Sequence, residues 1–329
     1  MKKLMMMIPV LALLYSCTVL TESQVKNINA FAQTAKAYSD FPSIPVKKAI
    51  EFHIDNELLA ASQFRNADTI LHRIESARKF ERATNQLADK FDLSLKLIQQ
   101  YSSLLTKLSS DQFSKDLAAS TKDLGENLTD LITTYNSKVD RKIPASVGSA
   151  LSSAILIVGK RLVARKQTQE LKKFVLAGSD LIKPTLANLI EVLDADTFTD
   201  KDGNRHGTVK AFIEGEKSNF IRNFQNVIFK KGPVDPNAVP VPEFTADRQI
   251  RNQSIAIYYA RLDDFEKLEQ LRQKTVSSAR NFEKAHNALV SNTREKKQLS
   301  DIISETQSFI KDAQELFKLL KSITKENKD

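Results

Sequence analysis

Cysteine occurs once in this chain, which excludes an intramolecular disulfide framework and any multi-cysteine zinc site. Glycine is scarce at 8 and proline at 9 of 329 residues. Average usage is about 7% and about 5%, so collagenous chains are ruled out. β-Sandwiches, which need turn residues every ~8–12 positions, are disfavoured as well. Tryptophan is absent, and Phe (18) outnumbers Tyr (6). No stretch sustains period-2 alternation, so no strand is expected. What is present is 41% hydrophobic and 27% charged residues, enough for a real core. At roughly 150 residues per domain, the length suits one elongated domain or two compact ones.

Breaker placement sets the helix lengths. Between Pro45 and Pro144 only Gly125 interrupts, and residues 243–329 hold neither proline nor glycine. Leu87, Phe91, Ile98, Tyr101, Leu105 and Leu108 keep a 3–4 rhythm. So do Phe113, Leu117, Leu124, Leu128, Leu131 and Tyr135. Leu299, Ile303, Thr306, Ile310, Ala313, Phe317 and Leu320 form a heptad seam. The pattern predicts helices near 22–40, 46–88, 91–109, 111–140, 145–178, 184–194, 207–230, 246–291 and 294–326. Pro45 and Pro184 suit helix first turns. Irregular connections are expected near 195–206 and 231–245, the latter holding four prolines in 233–242. The expected fold is all-α, an elongated antiparallel helical bundle with long coiled-coil-like helices.

The first residues read as targeting. Lys2 and Lys3 precede an apolar run from Leu4 to Leu14, shorter than the ~20 residues of a span. Leu14-Tyr15-Ser16-Cys17 follows and resembles the lipobox of bacterial lipoproteins, with Leu at −3, a small residue at −1 and Cys at +1. Tyr15 at −2 departs from the small residue most common there. The resemblance implies that Cys17 receives a diacylglyceryl group, and cleavage leaves it as the acylated N-terminus. Further acylation (palmitate) completes a stable anchor, since one chain holds only marginally. Thr18 is not the aspartate that retains such lipoproteins at the inner membrane, so the outer membrane is expected, on its periplasmic or surface face. The division is then 1–16 signal peptide, 17–45 lipid-anchored tether and short helix, and 46–329 bundle.

Formal net charge is +9. Lys2 and Lys3 account for two, and residues 138–173, with nine cations against Asp140 and Glu170, account for the remaining +7. The basic character is therefore local and gives no argument for nucleic acid. Lys160, Arg161, Arg165, Lys166, Lys172 and Lys173 are candidates for an anion-binding surface toward acidic headgroups or polysaccharide. Within this segment Ile143 to Gly159 is uncharged. It has three readings: a buried central helix with small residues allowing close approach, part of a polyanion surface, or a membrane-entering segment as in helical pore-forming proteins.

Chemical motifs are thin. Glu283-Lys284-Ala285-His286 has the Glu-x-x-His spacing of helical di-iron proteins, but no second pair exists. His286 sits on the seam between Phe282 and Leu289 and reads as a satisfied core histidine. Asp194, Asp196, Asp200 and Asp202 with Gly203 fail the calcium-loop register, because Phe198 and Val209 fall at its ends. They read as an Asx-rich turn. Phosphate-loop, Gly-x-Ser-x-Gly and His-Glu-x-x-His signatures are missing. The expectation is a lipid-anchored envelope protein that binds or scaffolds rather than catalyses, without cofactor or metal. Its partners would be the membrane, through the acyl chains, and an envelope protein or anionic lipid or polysaccharide. The alternatives are a membrane-inserting protein using 143–159 and an enzyme with dispersed site residues.

Overall fold

The computed structural model describes residues 22–39, 43–62, 64, 66–109, 115–158, 164–199, 205–229, 248–294 and 299–325. Helices dominate in the order α1 (Glu22–Tyr38), α2 (Ile44–Ala61), α3 (Ala67–Leu108), α4 (Lys115–Lys138), α5 (Ala145–Val158), α6 (Ala164–Asp194), α7 (Val209–Phe229), α8 (Arg248–Arg294) and α9 (Leu299–Lys325). The one exception among the described residues is a hairpin between α6 and α7. In it β1 (Thr197–Thr199) pairs antiparallel with β2 (Arg205–Gly207), Phe198 opposite His206. The fold is all-α, as the breaker pattern implies.

Three boundaries differ from the sequence expectation. The helix expected over 46–88 ends at Ala61, and α3 begins at Ala67 and runs unbroken to Leu108. No proline or glycine marks that break. Asn66 does: its side chain accepts a hydrogen bond from the Asp68 N–H at 2.8 Å, satisfying a helix-start donor. Pro184 starts no helix but lies inside α6. Proline there removes a donor, and the Thr185 hydroxyl donates to the Leu181 carbonyl at 2.7 Å one residue along from the carbonyl left bare. The helix expected over 145–178 ends at Val158. The connection expected near 195–206 carries the hairpin, while the proline-rich 231–245 lies outside the described residues.

The core is continuous across the helices. α8 packs on α6 and α9, α3 on α1, α2, α4 and α6, and α7 bridges α2 and α8. With 47 residues α8 is about 70 Å long. Residues 22–38, expected as the short helix that follows the tether, pack into this core. Ile28, Phe31, Ala32, Ala35 and Tyr38 are buried. Phe31, Phe282 and Phe309 cluster with centroids 5.0–5.9 Å apart, and the Tyr38 hydroxyl donates to the Thr275 carbonyl at 3.1 Å.

α5 settles part of the uncharged run. Ile143, Val147, Leu151, Ala154 and Ile155 are buried, while Ser146, Ser149 and Ser153 face out. The small residues allow close approach: a Cβ on Gly148 would stand 3.5 Å from Thr129 of α4, and the Thr129 and Ser152 hydroxyls lie 3.0 Å apart.

Candidate functional site

Cys17, the expected acylation site, lies outside the described residues, as do Lys160 and Arg161. Arg165 and Lys166 stand in the first turn of α6. There the unsatisfied N–H groups already give the helix end positive character, so cations and helix end add rather than cancel. Lys172 is half-buried about two turns on. Lys173 is exposed, but its Nζ lies 2.8 Å from Glu170 Oε1. Glu170 is buried, and its other oxygen has no hydrogen-bond partner among the described residues. Lys173 therefore serves that carboxylate first. The lower cations are also engaged: Arg141 pairs with Glu191 at 2.6 Å. Lys142 donates to the Val139 carbonyl at 2.7 Å and to that of Asn136, closing the end of α4. The basic segment is thus no uniform band, because several of its described cations are already engaged.

A concavity among the described residues lies elsewhere. An open groove of about 430 Å³ runs between α6 and α8, lined by Arg141, Ala187, Ile190, Glu191, Asp194, Ala195 and Glu283. Behind it sits Arg272, only 4% exposed. Its guanidinium forks onto both oxygens of Glu269 at 2.7 Å and reaches Asp194 Oδ1 at 2.7 Å and the Leu193 carbonyl at 3.3 Å. Asp194 Oδ2 takes Arg280 at 2.5 Å. A carboxylate at a helix C-terminus is unfavourable by itself, and the two arginines reverse that. The Arg272 hydrogen bond, with Arg280 behind it, holds Asp194 below its usual carboxylate range against the opposing effect of burial. Burial also pushes Glu269 upward, yet the Arg272 and Gln273 hydrogen bonds outweigh it and leave the group lowered. Asp196 pairs with Lys210 at 3.3 Å. The aspartates read as an Asx-rich turn are therefore ion-pair partners where described, while Asp200, Asp202 and Gly203 lie outside. The arrangement locks α6 to α8.

Two further polar clusters are buried. His286 Nε2 lies 2.9 Å from the Tyr101 hydroxyl. Burial pushes His286 down to about 3 and Tyr101 upward, so neutral tyrosine donates to neutral imidazole. This is the satisfied core histidine expected from the seam. Sequence reasoning missed the second cluster. His53 Nδ1 lies 2.9 Å from Glu216 Oε1, Asn56 Nδ2 donates to Glu216 Oε2 at 2.6 Å, and Phe80 and Phe212 stack beside the imidazole. Glu216 is 160 or more residues from His53 and Asn56 in sequence, and no local motif joins it to them.

Among the described residues no group of three His, Cys, Asp or Glu is placed to hold a metal ion, and no helix is long and apolar enough to cross a membrane. The fold and these clusters define a helical bundle closed by buried ion pairs. Comparison with protein-family models, with curated proteins and with solved structures gives no match in any of the three.

Proposed function

We propose that this chain is a lipid-anchored bundle protein of the bacterial cell envelope, acting by binding or scaffolding at the outer membrane. The observation that carries the reading is Leu14-Tyr15-Ser16-Cys17 behind a charged and apolar leader, with the sole cysteine at the acylation position. α1 starts at Glu22, five residues after Cys17. Five extended residues reach at most about 17 Å, so an acylated Cys17 holds the bundle close to the bilayer. Cys17→Ser is expected to release the protein from the membrane fraction or to stall its processing, read by fractionation and by mass spectrometry of the N-terminus. Unchanged fractionation together with an unacylated N-terminus in the parent removes the basis of the proposal.

The basic residues at 160–166 give the anchored bundle a second contact with anionic headgroups or polysaccharide. Each cation near an acidic surface contributes roughly 1 kcal/mol, screened by salt beyond about 8 Å. Replacing Arg161, Arg165 and Lys166 by Gln is expected to weaken binding to anionic vesicles about a hundredfold at low salt. The melting temperature should stay near the parent's if these cations serve headgroups rather than the fold. Lys173 is left in place because its removal strips buried Glu170 of its partner. Equal vesicle binding by variant and parent reduces 160–166 to a solvated segment.

A further inference from the structure

We draw no further inference here: the strongest candidate, the open groove of about 430 Å³ between α6 and α8, has an acidic rim whose Glu191 and Asp194 are already paired with Arg141, Arg272 and Arg280, and nothing else among the described residues points to a ligand for it.

Discussion

Gly178→Ala is expected to lower the unfolding free energy by about 3 kcal/mol, at the upper end of the range for overpacked cores. A Cβ at 178 would stand 2.3 Å from the Tyr101 hydroxyl oxygen and 2.4 Å from two of its ring carbons. The ring has nowhere to retreat. Tyr101 is fully buried, stacked on Phe174 at 5.2 Å and hydrogen-bonded to His286. Gly215 supplies the control, being helical with no atom within 4 Å of its would-be Cβ. There alanine gains helix propensity without a clash, so Gly215→Ala should stabilise by about 0.5–1 kcal/mol. Denaturant midpoints of the two variants should move in opposite directions. A Gly178→Ala midpoint at or above the parent's would show that α3 and α6 do not approach this closely.

Stability should also fall as pH drops from neutral toward 4, and His286 sets the onset. Its ordinary value is 6.5, and burial holds it down to about 3 in the folded chain. Between those values the unfolded chain binds a proton that the folded chain refuses. Stability contributed by the neutral ring is complete above about 6.5 and is lost on acidification, with a limiting slope of about 1.4 kcal/mol per pH unit. At pH 5 the loss is about 2 kcal/mol. Asp194 and Glu269, both lowered in the fold, add to acid sensitivity only below their ordinary values of 3.8 and 4.5. His286→Gln keeps an acceptor for Tyr101 but does not titrate, so its stability should be flatter than the parent's between pH 6.5 and 5. Urea midpoints across that window that do not change in the parent would refute the assignment.

The helices were legible because spacing and breaker placement are local properties. The Leu299–Leu320 seam and the breaker-free tract after 243 correspond to α9 and α8. Proline and glycine mark helix ends less faithfully than the breaker pattern implies. Pro184 was expected to open a helix, yet packing on α8 carries α6 straight through it. The turn at 62–66 has neither residue, and only the Asn66–Asp68 pair marks the start of α3. Of the candidate sites, the basic segment was visible as composition, but its division was not. That Arg141 serves Glu191 depends on which helices meet, and so does the burial of Glu170, the neighbour one turn back on α6 that Lys173 serves. Arg272, Glu216 and Gly178 were invisible for the same reason, since their partners lie far off in the chain or, at Gly178, on another helix.

The docking of α1 has a kinetic corollary. The Tyr38 hydroxyl bonds to Thr275, 237 residues further along, and Phe31 rests against Phe282 and Phe309. At ribosomal rates of ~5–20 residues per second, roughly 10–50 s pass between the synthesis of Tyr38 and that of its acceptor. Throughout that interval the aromatic face of α1 has no α8 or α9 to rest on. α1 can rest on α3 meanwhile, but its aromatic face is completed only when the last two helices arrive. On the proposed reading, in which the chain is exported, the core around α1 stays incomplete while the chain is handed to the secretion machinery.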